Sequence, residues 1–128
     1  MIEELKSLHK NSYSPYSNYE VSAIVVMKDG KKFVGVNVEN AAYGSSICAE
    51  RSAILSAISS GYKKHDFLEL HVMVNDSKIG TPCFACRQVI SELFDSDKII
   101  YCYNNLGEVE KYTVEDLCPH PFSEDNLK

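Results

Sequence analysis

The chain has 128 residues, a mass of 14.4 kDa and a formal net charge of -5 at pH 7, the size of one ordinary domain and too short for two. Hydrophobic residues at 45% and charged residues at 24% exclude a disordered or collagen-like chain, and the acidic balance argues against nucleic acid or any other polyanion as a partner. No apolar run approaches the ~20 residues that span a bilayer, and Met1-Ile2-Glu3-Glu4-Leu5 lacks the basic-then-apolar pattern of a leader, so the expected location is cytoplasmic.

Ile2, Leu5 and Leu8 recur at helical spacing and predict a short amphipathic helix over 2–10, followed by a loop over 11–18. The apolar, β-branched run Val21 to Met27 predicts a buried strand. Asp29-Gly30 is a hairpin turn signal, and Lys32 to Val38 reads as the returning strand. Asn40 to Ser46 looks like a connection. From Cys48, Ile54, Leu55 and Ile58 recur with helix period up to Gly61, a natural residue just past a helix end. Phe67 to Val74 predicts a strand, and Pro82 followed by Val89, Ile90, Leu93 and Phe94 opens a second helix. Lys98 to Tyr103 reads as a strand, Asn104 to Gly107 as a turn and Glu108 to Thr113 as an edge strand. Without repeat or linker, this order predicts one α/β domain over residues 1–128, with a mixed sheet faced by helices.

Five cysteines in a chain without an export signal point to reduced thiols or metal ligands rather than to a disulfide framework. Cys48-Ala49-Glu50 and Pro82-Cys83-Phe84-Ala85-Cys86 each stand where a helix begins. Positions i and i+3 share a helix face, so Cys83 and Cys86 can grip one ion. Unpaired N–H groups and the macrodipole at a helix start stabilise thiolates, the form that binds zinc. Three such ligands leave a fourth tetrahedral position open, the pattern of a catalytic zinc site. Glu50, two residues from a ligand, can then serve as a proton shuttle. A C-x-x-C pair also fits a redox dithiol or half of a closed structural zinc site. The redox reading leaves Cys48 unexplained, and the structural one needs a fourth ligand. Cys102 and Cys118 read as packing residues, and the four histidines stand singly.

These motifs resemble the small cytidine deaminases, a family of homotetrameric zinc enzymes with three cysteine ligands. Zinc deaminases as a class carry His or Cys, then Glu, then P-C-x-x-C. The resemblance runs through Tyr13-Ser14-Pro15-Tyr16-Ser17-Asn18-Tyr19-Glu20-Val21, Asn37-Val38-Glu39-Asn40-Ala41-Ala42-Tyr43, both cysteine motifs and Leu117-Cys118-Pro119-His120-Pro121-Phe122. It implies a three-layer fold on a five-stranded mixed sheet, and deamination of cytidine and deoxycytidine in pyrimidine salvage. It also implies one zinc per subunit on Cys48, Cys83 and Cys86, with Glu50 as the acid/base. By the same resemblance Asn37 and Glu39 hold the ribose, and strand alternation puts positions i and i+2 on one side, so both can face one sugar. A carboxylate there repels phosphate and favours nucleosides over nucleotides. Tyr19, where relatives carry Phe, Tyr43, the Ala49 N–H and the Thr81 carbonyl are implied near the substrate, and Phe122 at the site of a neighbouring subunit. Arg51 is implied to draw charge off the thiolates, with Arg87 and Gln88 in support. Ser22, the Gly44-Ser45-Ser46-Ile47 approach, and Cys118, His120 and Pro121 depart from the family pattern. The rival activities are deamination of a cytosine-containing antibiotic, as in blasticidin S deaminases, and of polynucleotides or nucleotides. From another class, a non-enzymatic zinc module predicts a fourth protein ligand and no role for Glu50.

Overall fold

The computed structural model describes residues 1–127. The predicted elements form in order: α1 (Ile2–Leu8), β1 (Val21–Met27), β2 (Lys32–Val36), α2 (Ala49–Ser59), β3 (Phe67–Val74), α3 (Phe84–Leu93), β4 (Ile99–Tyr103) and β5 (Val109–Thr113), and a short α4 (Val114–Leu117) that the sequence reading did not include follows them. The strands make one sheet in the order β2-β1-β3-β4-β5. β3 and β4 run parallel, joined by the α3 crossover, and the other three pairs are antiparallel. The sheet is mixed because short turns return β2 beside β1 and β5 beside β4 antiparallel, whereas the helical connection through α3 brings β4 back parallel to β3.

Alternation along the strands divides the core in two. Ala23, Val25, Leu70, Val72, Ile100 and Cys102 face α2 and α3, whereas Ile24, Met73 and Tyr103 pack with Leu5 of α1 on the opposite face. Helices on both faces make three layers. The surface of 7109 Å² is close to the roughly 6,800 Å² expected for a monomer of this mass, so the chain closes most of its core unaided. Buried on the α1 face, the His71 ring stacks on Tyr101 at 4.4 Å, and its Nδ1 and Nε2 lie 2.7 Å from the Tyr103 hydroxyl and 3.1 Å from Glu69. That network satisfies a polar group which burial would otherwise penalise.

Two further details differ from the sequence reading. α2 turns Ala49, Ala53, Ala57 and Ile54 to the core, and leaves Leu55 and Ile58 on the surface. The reason lies in β2. A Cβ on Gly35 would stand 2.5 Å from the Ala53 N and 2.6 Å from the Ala49 O, so strand and helix touch backbone to backbone. Larger side chains cannot enter that contact. The second difference is that β2 ends at Val36, before Asn37 and Glu39. Val38 instead bridges Tyr13 on one side and Ile47 on the other.

A candidate zinc centre and its pocket

Cys48 and Cys83 are the N-cap residues of α2 and α3, yet neither side chain caps its own helix. Their sulfurs are free to turn toward one point at the positive ends of two helices. Cys86, one turn into α3, is fully buried and completes the group. The Cys48 and Cys83 Sγ atoms lie 3.7 Å apart, as do those of Cys83 and Cys86. Tetrahedral zinc with Zn–S bonds of about 2.3 Å requires sulfurs about 3.8 Å apart, so the group fits that ion. Among the described residues no fourth ligand side chain joins the three, which counts against a closed structural site. Zinc is the metal this chain takes.

The Cys48 thiol is drawn down to about 5 by hydrogen bonding with Cys86 and by the Arg51 guanidinium, whose Nη2 stands 3.6 Å from Cys48 Sγ. Cys86 is pushed up, by its hydrogen bond to Cys48 and by burial. The Arg51 Nε is buried with no partner among the described residues, so this guanidinium is committed to the sulfur group more than to the surrounding protein. Glu50 is buried beside the sulfurs, and burial raises its carboxyl to about 7. A carboxyl that changes charge near neutrality suits a group that takes and returns a proton.

Arg87 organises the approach to Cys83. Its Nε donates to the Pro82 carbonyl at 2.7 Å, Nη2 to Thr81 Oγ1 at 2.9 Å, and Nη1 to the Leu117 carbonyl at 3.0 Å. The guanidinium also lies 4.4 Å over the exposed Phe84 ring. This residue therefore fixes the backbone in front of the ligand and ties it to α4. Groups that orient metal ligands typically carry about 10–100-fold in metal affinity, and a loss of that size is expected for Arg87→Ala in chelator competition. Wild-type affinity in the variant would leave Arg87 no part in the centre. Gln88 faces away and donates to the Phe122 carbonyl at 2.9 Å.

Next to the sulfurs is a cavity of about 200 Å³, lined by Tyr19, Val21, Asn37, Cys48, Ala49, Glu50, Gly80, Thr81 and Cys83 among others. The Ala49 amide, at the first position of α2, has no intrahelical acceptor. Asn37 is engaged by its own chain: Oδ1 accepts from the Val21 N at 3.0 Å and from Ser12 Oγ, and Nδ2 donates to the Tyr19 carbonyl at 2.7 Å. Glu39 lines a separate cleft with Tyr16, Ser17, Tyr43 and Ser46. Its carboxylate accepts from Tyr16 N, Ser17 N and Ser17 Oγ, bonds that hold it below the usual carboxylate range. Strand alternation does not relate Asn37 to Glu39, because both lie beyond the end of β2. Phe122 and Tyr43 are exposed and lie outside the Glu50 cavity. Sequence reasoning missed the Arg87 clamp and the Gly80 wall. The clamp carried little signal in local spacing, since two of its three acceptors are backbone carbonyls.

The comparisons agree with this geometry. Residues 1–103 match the model of the cytidine and deoxycytidylate deaminase zinc-binding region. A cytidine deaminase of Halalkalibacterium halodurans is 37% identical over 99% of this chain and 95% of its own. One from Sporosarcina psychrophila is 38% identical over 99% and 92%. The crystal structure of a cytidine deaminase from Burkholderia pseudomallei, 41% identical, superposes with a TM-score of 0.90 over 94% of this chain and 95% of that one. With residues 1–103 matched by the family model and relatives at 37–38% identity over 99% of the chain, the chain belongs to the cytidine and deoxycytidylate deaminase zinc-binding family.

Proposed function

We propose that this chain hydrolyses cytidine and deoxycytidine to uridine and deoxyuridine with release of ammonia, a step of pyrimidine salvage in the cytoplasm. The observation that carries the reading is the buried Glu50 carboxyl beside three sulfurs within 4.8 Å of one another, two of the pairs at the 3.7 Å spacing that tetrahedral zinc takes. Cys48, Cys83 and Cys86 hold the zinc, which when bound supplies a Lewis acid that makes a water nucleophilic near neutral pH. Glu50 takes the proton of the attacking water, passes it to N3 of cytosine and delivers a proton to the leaving amine at C4. Arg51 draws negative charge from the Cys48 sulfur. Apolar walls from Val21, Val72 and Val74 exclude bulk water from the base. The Ala49 N–H and the Thr81 carbonyl orient the base, and Asn37 in the Glu50 cavity and Glu39 in the separate cleft contact the ribose, with Tyr43 beside Tyr16 in that second cleft, the two rings edge to face at 6.2 Å. Among the described residues no helix is long and apolar enough to cross a membrane.

The test follows the absorbance change of zinc-quantified protein on cytidine, deoxycytidine and cytidine 5′-monophosphate. Turnover of both nucleosides and poor use of the nucleotide is expected, because the Glu39 carboxylate repels phosphate. A zinc-loaded chain that turns over neither nucleoside would refute the reading. A blasticidin-type substrate run in parallel assigns the activity if it alone reacts.

The working unit we propose is a homotetramer whose sites are shared. A cavity of about 200 Å³ is below the ~300–1,000 Å³ typical of small-molecule sites, which suits a site completed by a neighbour. Phe122 supports this. It is 57% exposed next to a polar C-terminus and lies outside its own chain's cavity. Base–aromatic stacking is worth about 1–3 kcal/mol, so Phe122→Ala is expected to be weakly active. Mixed with Glu50→Ala chains, it should regain activity, because those chains lend Phe122 to sites with an intact Glu50. Specific activity of the mixture, with exchange verified by native mass spectrometry, reads the outcome. No gain after verified exchange means Phe122 acts within its own chain.

A further inference from the structure

Tyr19 stands in the wall of the Glu50 cavity, and its backbone is pinned from both sides. Its N–H donates to Ser17 Oγ at 3.0 Å and its carbonyl accepts from Asn37 Nδ2 at 2.7 Å. Only side-chain torsions can therefore move the ring. Its phenol crosses to the loop between β3 and α3. There a Cβ built on Gly80 would stand 2.9 Å from the Tyr19 hydroxyl oxygen and 3.3 Å from Val74 Cγ1. The hydroxyl thus occupies the space next to Gly80 that a side chain at position 80 needs. Among the described residues nothing hydrogen-bonds to that hydroxyl, so van der Waals contact holds it there. Gly80 does not have a positive φ, so its backbone tolerates alanine. The absence of a side chain at position 80 answers to space and not to conformation.

We infer that Tyr19 and Gly80 are a matched pair that sets the width of the nucleoside pocket, with Gly80 a positioning residue for the Tyr19 ring. The inference rests on the proposed reading of this cavity as the nucleoside site. A methyl group at position 80 displaces the hydroxyl and drives the pinned residue to another torsion. The ring then either enters the cavity or abandons its wall, and both weaken nucleoside binding. Removing the hydroxyl removes the clash, so phenylalanine at position 19 makes alanine at position 80 harmless.

The experiment compares four zinc-loaded chains: wild type, Gly80→Ala, Tyr19→Phe and the double variant. For each it measures KM and kcat on cytidine, the inhibition constant of uridine, and zinc content. The crystal structure of Gly80→Ala adds a readout independent of turnover. Forcing a side chain off its rotamer corresponds to about 3–10-fold in binding, and that rise is expected in both KM and the uridine constant for Gly80→Ala. Loss of binding alone leaves kcat within about twofold. The double variant should match Tyr19→Phe alone. Equal damage from Gly80→Ala in both backgrounds, no damage in either, or an unmoved Tyr19 ring overturns the pairing. A wild-type chain without cytidine turnover instead defeats the functional reading, and the ring position still decides the pair. Should Gly80→Ala fail to accumulate, recovery of a folded double variant supports the pairing and failure of both overturns it.

Discussion

Glu50→Gln is expected to keep its fold and its zinc while losing about 10²–10⁴-fold in turnover, the usual contribution of a general acid–base group. The amide keeps the shape of the side chain but cannot carry the proton between water, N3 and the leaving amine. It should also leave the protein at least as stable. Burial pushes the Glu50 carboxyl up to about 7 because the charged form is disfavoured there. A neutral isostere removes that cost, the exchange of stability for activity common at functional sites. Metal content and thermal midpoint of the purified variant check the first half, and a cytidine assay checks the second. A zinc-loaded variant with near-wild-type turnover removes Glu50 from the chemistry.

Cys86→Ala is expected to abolish turnover by a different route, through loss of the metal. The remaining sulfurs, Cys48 and Cys83, would present only two thiolates, and Cys83 is exposed to competing water. A ligand that binds only the folded state raises stability with its concentration. Zinc should therefore raise the thermal midpoint of the wild type, and a chelator lower it, with neither effect in Cys86→Ala. Because Cys86 is buried in the core of α3, the metal-free wild type is the proper reference. One zinc per chain with full activity in this variant would contradict the ligand set.

The two predictions separate the roles that the sequence placed side by side. Loss of Glu50 stops proton movement in a loaded site, whereas loss of Cys86 empties the site. Arg87→Ala falls between them, weakening the metal while leaving all three sulfurs in place.

The sequence by itself determined the metal chemistry and most of the elements. Ligand types at i and i+3, a glutamate two residues from a cysteine and apolar periodicity are local properties of the chain. Helix and strand geometry convert them directly into shared faces. The short α4 was legible on the same terms. Thr113 and Asp116 form its reciprocal capping box, a local T-x-x-D pattern that the chain-order reading passed over.

What only the tertiary structure decided depends on contacts between distant elements. It brought the starts of α2 and α3 together at one end of the central strands β1 and β3, which no spacing between residues 48 and 83 specifies. It turned the alanines of α2 to the core, because β2 approaches at Gly35 with no room for Leu55 or Ile58. It ended β2 at Val36 and so placed Asn37 and Glu39 in different clefts, where period-2 reasoning had put them on one side. It also set the Tyr19 hydroxyl against Gly80, 61 positions further along the chain. Packing of this kind depends on shapes that meet only after the layers have closed, and close-packed interiors leave those shapes little tolerance.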